Sequence, residues 1–259
     1  MSERLAIIGA GAMGAALCRG LRDTVDIVAC DRHAEKLAAL DGVATCTDPK
    51  EAIAKADAVL FAVKPQAFDA CLADAGPLPP DTLILSIMAG IPLAALVEKT
   101  GCSAVVRAMP NLGVAVGNGS TAWIATDAVS DEQIHFVRNL FSRVGTGIAL
   151  SSEAEMDAFT AIAGCGPAYF FLLADLLARH AHAMGFATQD ADAMARGLLI
   201  ASGKLLESKD DTPADWKRAV ASKGGVTERA LHVLEDGRLD ALLQEALEAA
   251  RARSAEMHD

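Results

Sequence analysis

Ile8-Gly9-Ala10-Gly11-Ala12-Met13-Gly14 decides how the rest of this chain is read. An apolar run, Leu5 to Ile8, enters a glycine-rich turn, and a helical pattern follows from Met13 to Leu21. This is the G-x-G-x-x-G arrangement of a dinucleotide-binding βαβ unit. Gly9 permits the tight turn out of the strand, Gly11 lets backbone approach a pyrophosphate, and Gly14 lets the helix pack close to the strand. The free N–H groups of the helix start then face the phosphates. Small residues are also common in ordinary strand-to-helix turns, so the motif takes its weight from its surroundings.

The surroundings agree with it. A second apolar run, Ile27 to Cys30, ends at Asp31-Arg32, about where the ribose-binding acid of a Rossmann unit falls, roughly 20 residues beyond the glycines. Asp31 suits the ribose hydroxyls of NAD, whereas Arg32 suits the 2′-phosphate of NADP, and a solvated turn before a helix near Glu35 fits the same residues. Strand-like runs then recur at Asp57–Val63, Thr82–Ile87, Ser103–Arg107, Thr121–Ala125 and Thr146–Leu150. Helical segments alternate with them at Pro49–Ala56, Gln66–Ala75, Leu93–Lys99 and Asp131–Phe141. Such alternation predicts a parallel, doubly wound sheet over residues 1–150. Ligands of these sheets sit beyond the carboxyl ends of the strands, which singles out Lys64-Pro65-Gln66, Met88-Ala89-Gly90 and Met109-Pro110-Asn111. Taken alone, Lys64 is better explained as a solvated loop lysine than as a site residue.

Beyond Ser152 the pattern is helical only, giving a second domain over 151–259. The segment Ala168–Met184 is apolar nearly all round through Ala178, as expected of a helix that packs against a second subunit. Further helices open at Thr188 and at Thr212-Pro213, and the last, from about Leu239 to Met257, carries Leu239, Leu242, Leu243 and Leu247 on one face. Between them lies Ser222-Lys223-Gly224-Gly225-Val226-Thr227, with Thr227 placed to cap the helix Glu228–Glu235. Two glycines and a helix start make a site for a small carboxylate, although an ordinary loop and N-cap reads equally well from spacing.

The bulk properties limit the partners. The chain has 259 residues, is 52% hydrophobic and 4% aromatic, and carries a formal charge of −11, which argues against a nucleic-acid partner. The six cysteines include no C-x-x-C pair, so reduced thiols are expected and no metal site. No signal peptide is visible, and the apolar run Ala168–Ala178 falls short of the ~20 residues of a membrane span, so a soluble, cytoplasmic protein without a membrane partner is expected.

Taken together, the ordered motifs resemble the pyrroline-5-carboxylate reductase family over nearly the full length. The resemblance rests on Ile8–Gly14, Ala62–Gln66, Ser86–Gly90, Arg107–Asn111, Gly164–Tyr169 and Ser222–Thr227. It implies a Rossmann-type domain followed by an all-α dimerisation domain, forming a homodimer or a higher homo-oligomer of dimers. It also implies reduction of the C=N bond of 1-pyrroline-5-carboxylate to L-proline, the last step of proline biosynthesis, with NADPH, or NADH, as cofactor. By the same resemblance Thr227 is the catalytic residue, with Ser222, Gly224, Gly225, Val226 and Asp210 about the substrate. Ile8, Gly9, Ala10, Gly11, Ala12, Met13, Gly14, Asp31, Arg32, Val63, Lys64, Pro65, Ala89 and Asn111 would hold the cofactor. The chain departs from the family pattern at Pro49, Leu112, Gly113, Cys165, Lys223 and Val226. Those changes bear on which cyclic imine is reduced, so a paralogue acting on another cyclic imine, or a non-catalytic dinucleotide-sensing dimer, stands beside the main reading.

Overall fold

In the computed structural model, which describes residues 4–257, alternate residues of one short strand point into two different cores. Strand β1 (Arg4–Ile8) sends Leu5 and Ile7 to one face and Ala6 and Ile8 to the other, all buried. A strand apolar on both sides belongs inside a sheet covered on both faces. Its partners are β2 (Asp26–Cys30) and β4 (Ala58–Phe61), both parallel to it. The sheet continues through β3 (Ala44–Cys46), β5 (Leu83–Ser86), β6 (Val105–Pro110), β7 (Gly119–Ala125) and β8 (Gly145–Ala149), in the order β3-β2-β1-β4-β5-β6-β7-β8.

The helices that cover it are α1 (Ala12–Leu21), α2 (Ala34–Leu37), α3 (Pro49–Ile53), α4 (Phe68–Ala75), α5 (Leu93–Thr100) and α6 (Asp131–Ser142). Leu17 and Leu21 of α1 and Val137 and Phe141 of α6 join the core under Leu5, Ile7 and Leu60. Ile53, Phe68 and Leu96, from α3, α4 and α5, join the opposite core under Ile8, Val59 and Phe61. The result is a Rossmann-type three-layer unit. Strand order reverses at β1 and β4, so the crevice for a ligand lies above their carboxyl ends.

Two details differ from the sequence reading. The first is β3, which pairs with β2 at Val28–Cys30; two exposed residues and one half-buried one at a sheet edge give almost no periodicity from which to read a strand. The second concerns β7, which runs antiparallel to β6, so the sheet is not parallel throughout. The connection between them, residues 111–118, holds only a 3₁₀ turn, Leu112–Val116, and a parallel return needs a crossover of a dozen residues or more. The helix α6 supplies such a crossover, and β8 is parallel to β7.

Backbone contacts divide the chain into two compact units, one running to Cys165 and taking in the chain from Ala250, the other Gly166–Ala249. The first unit also holds α7 (Glu153–Phe159) and a π turn, Thr160–Gly164. The second is helical, with α8 (Gly166–Ala183), α9 (Thr188–Ser208), α10 (Pro213–Val220), α11 (Val226–Asp236) and most of α12 (Leu239–Glu256). Pro213 follows a capping box made by Thr212 and Asp215, which fixes where α10 starts. In a single chain the apolar surface of α8 is largely uncovered: Phe170, Phe171, Leu172, Leu173 and Leu177 are all more than half exposed. The whole helical stretch Glu153–Ala183 is also long and apolar enough to cross a membrane by length and composition, which the shorter run 168–178 was not.

Candidate functional site

The glycine turn is built by close approach. Gly9 has φ +109°, and a Cβ there would lie 2.7 Å from the Ala62 carbonyl oxygen, at the end of β4. On Gly14 a Cβ would lie 1.9 Å from the Gly9 carbonyl oxygen and 3.2 Å from the Ala62 Cβ, so α1 can sit against the strand only without a side chain at that position. Gly11 differs. No protein atom lies within 4 Å of where its Cβ would be, and it serves as the N-cap of α1 without any side-chain capping bond. Its bare side therefore faces open space in front of unpaired helix N–H groups, the arrangement a phosphate needs.

That space is a cavity of about 420 Å³, lined among others by Ile8, Gly9, Gly11, Asp31, Arg32, Val63 and Lys64. Seven of the expected cofactor residues thus converge on one concavity. Ala10 contributes behind them, donating its N–H to Asp31 Oδ2 at 2.9 Å. Ala12 and Met13 form the first turn of α1, and Pro65 opens the 3₁₀ turn Pro65–Ala67 that carries Lys64. Ala89 lies half-buried in the turn after β5, outside the lining of this cavity.

Sequence reading did not identify His33 and Lys36, which line the same cavity. Burial would raise the Asp31 carboxyl, but the His33 and Ala10 N–H groups and Lys36 outweigh it and hold it below the usual carboxylate range. The Lys36 Nζ is 3.3 Å from Asp31 Oδ2 and the His33 N–H is 2.9 Å from Oδ1. The carboxylate is thereby largely engaged by the protein, while Arg32, His33 and Lys36 leave this end of the cavity rich in positive and neutral donors. Cys30 and Cys71 also line it, and burial pushes their thiols up to about 12 and about 11. They stay protonated at neutral pH and offer no thiolate chemistry.

Asn111 has another set of partners. Its Oδ1 accepts from the Gly113 and Ser120 N–H groups, and its Nδ2 donates to the Ala163 carbonyl at 2.9 Å. Proline at 167 has no N–H to give back four residues, so Ala163, within the π turn, lacks its helical donor. Asn111 fills the gap. Arg107 is a further structural tie: fully buried, it pairs with Glu153, whose other oxygen accepts the Leu93 N–H at 2.8 Å.

The second constellation lies on α10–α11 of the helical unit. Thr227 does not cap the helix; α11 begins one residue before it, and Gly225 is the N-cap. Gly224 (φ +73°) and the Gly225 N–H to Ser222 carbonyl bond of 2.8 Å make the turn, which is tight enough that a Cβ on Gly225 would lie 2.4 Å from Ser222 Oγ. Glu228 reaches back to accept the Gly224 N–H at 2.7 Å. Val226 is 90% exposed, at the rim of the turn. Asp210 is exposed between α9 and α10 and makes no hydrogen bond among the described residues.

A Rossmann-type sheet whose glycine turn, acidic second strand and β4 end enclose one cavity defines a dinucleotide-binding oxidoreductase domain. Residues 4–90 accordingly match the family described as NADP oxidoreductase, coenzyme F420-dependent. Residues 153–257 match pyrroline-5-carboxylate reductase dimerisation. A pyrroline-5-carboxylate reductase of Pseudomonas aeruginosa is 38% identical over 265 residues, covering 99% of this chain and 97% of its own. The structure of a pyrroline-5-carboxylate reductase from Coxiella burnetii aligns with a TM-score of 0.91 at 28% identity over 100% of both chains. That of the Plasmodium falciparum pyrroline carboxylate reductase with NADP bound aligns at 0.85, 25% identical, over 99% and 98%. The chain belongs to the pyrroline-5-carboxylate reductase family.

Proposed function

We propose that this chain reduces the ring C=N bond of 1-pyrroline-5-carboxylate to give L-proline, using NADPH. The observation that carries the reading is the cavity at Gly9, Gly11, Asp31, Arg32 and Lys64 in a chain related over its full length to such reductases. Bound NADPH supplies the hydride. The open side of Gly11 and the N–H groups of Ala12 and Met13 receive the pyrophosphate, and Lys64 adds a cation nearby. Arg32 and Lys36 favour the 2′-phosphate of NADPH over the bare ribose of NADH, because Asp31 already spends its oxygens on Ala10, His33 and Lys36.

For the substrate, the first N–H groups of α11 lack intrahelical acceptors and hold the carboxylate, with Ser222, Gly224, Gly225 and Val226 shaping the turn. Thr227 contacts the ring nitrogen and orients the imine. A protonated imine is already a strong electrophile, so orientation at ~3–3.5 Å from the donor provides most of the acceleration. Asp210 adds negative charge on the same unit. Residues 1–150 serve the cofactor and most of 151–259 serves substrate and assembly, while the chain up to Cys165 and from Ala250 packs with the first unit. The uncovered face of α8 packs against a second copy, giving a homodimer that works in the cytoplasm.

A second reading, reduction of another cyclic imine, draws on the departures from the family pattern at Leu112, Gly113, Cys165 and Val226. Steady-state kinetics with five- and six-membered cyclic imino acids separate the two. The main reading expects the five-membered acid to have the higher kcat/KM; preference for the six-membered acid replaces it with the second.

A further inference from the structure

The turn after β5 is held from outside by two widely separated parts of the chain, both within the first unit. Inside the turn, Ser86 Oγ accepts the Met88 N–H at 3.2 Å. At its far end, Glu153 of α7 accepts the N–H of Leu93, the first residue of α5, and its other oxygen pairs with the buried Arg107. One helical turn beyond Glu153, the buried Asp157 accepts the Ser254 hydroxyl at 2.7 Å, fixing the end of α12. Three residues later the chain passes over Gly90. A Cβ there would lie 2.5 Å from the Met257 carbonyl oxygen and 3.0 Å from the Met257 Cβ.

Gly90 has φ +75°, a conformation that Asn or Asp can also adopt; the overlying Met257 backbone is what rules out any side chain. Helix ends normally fray unless something ties them down. Here the tie leads to one turn, and that turn presents Ala89, half-buried, beside the buried Gly90. In the sheet order, β5 lies on the opposite side of the switch point from Asp31, so its end borders the half of the crevice away from the adenosine.

We propose that Ser254 and Met257 are positioning residues: the last turn of the chain seats the 87–92 turn at the height that the nicotinamide end of the cofactor requires. This rests on the proposed NADPH-dependent reduction, with the β5 end bordering the half of the crevice beyond the cavity that holds Asp31. Ser254 acts through Asp157, Met257 acts through Gly90, and neither touches a reacting atom. Because a displacement of about 1 Å can cost up to 10²-fold in rate, a small rise of this turn is felt in turnover.

The test is Ser254→Ala, with Ser254→Thr as the conservative control, in the full chain. NADPH affinity is measured by fluorescence titration, beside KM for each substrate and the thermal midpoint. Ser254→Ala is expected to weaken NADPH binding and lower kcat, together roughly tenfold in kcat/KM for NADPH, with KM for the imino acid unchanged. Ser254→Thr restores both. Gly90→Ala, which drives a Cβ into Met257, should give the same split. A Ser254→Ala protein with a lower thermal midpoint but wild-type NADPH affinity and kcat makes the contact merely structural and overturns this inference alone. A wild type that binds no dinucleotide overturns it together with the reading on which it rests.

Discussion

The two units of this protein differ in how much of their own surroundings they supply. The sheet unit buries Leu5, Ile7, Leu60, Phe61 and Phe141 completely within itself, and its cavity is closed by its own strands and turns. The helical unit leaves five large apolar residues of α8 more than half exposed, and its glycine turn sits at the surface with Val226 at 90% exposure. Fully burying one such side chain contributes about 1.5–3 kcal/mol. Each is already about half covered, so the five together forgo about 4–8 kcal/mol, which reaches into the roughly 5–15 kcal/mol that stabilises a typical domain. A cofactor cavity can therefore be assembled from one chain, whereas the helical unit has its lowest free energy only when something covers α8.

The self-contained sheet unit is most vulnerable at Gly14. Gly14→Ala puts a Cβ 1.9 Å from the Gly9 carbonyl oxygen, a backbone atom that cannot swing aside. Loss of dinucleotide binding, with a markedly lower thermal midpoint or insoluble protein, is expected; wild-type binding by calorimetry would mean that the turn is not closed as described. In the helical unit, Leu173→Glu places a charge in the uncovered face of α8 and should leave a monomer by sedimentation. An unchanged dimer would place the contact elsewhere.

A finer test compares the two sites chemically. Thr227→Ala should lower kcat by roughly tenfold to a hundredfold while leaving NADPH affinity unchanged, since Thr227 belongs to the helical unit and not to the cavity. Equal kcat in the variant would remove the role assigned to Thr227. The smallest effect concerns pH. Asp31 has a folded pKa below its unfolded value, so the stability it contributes is present above the ordinary carboxylate pKa and is lost as pH falls through the lowered one. Wild type and Asp31→Asn should then differ by a constant amount above about pH 5 and converge below about pH 4 in urea titrations. A difference that grows on acidification would contradict the bonds drawn to Asp31.

Much of the sheet unit was legible because each turn of chain there answers to local chemistry. Gly9, Gly11 and Gly14 have separate reasons to lack side chains, and the strands β1, β4 and β5 read as apolar runs because both of their faces are buried. What escaped reading depended on distant partners. Lys36 looks like any helix lysine until Asp31 is folded beside it, and the tie from Ser254 to Asp157 spans 97 residues. Asn111 was legible as a motif residue, but its bond to Ala163 fills a gap left by a proline 56 positions on. The direction of β7 was hidden for a similar reason, since it depends on how little chain lies between 110 and 119. At the second site, the glycines of 222–227 were visible, but the helix start moved to Val226 because Gly225 rather than Thr227 takes the cap position.

Oxidation of NADPH by the purified protein with 1-pyrroline-5-carboxylate, followed by loss of the reduced-nicotinamide absorbance with proline identified by mass, tests the proposed reduction. NADPH oxidation that depends on the imino acid, with one proline formed for each NADPH consumed and slower oxidation of NADH, is the expected result. Binding of NADPH without turnover of pyrroline-5-carboxylate would contradict it.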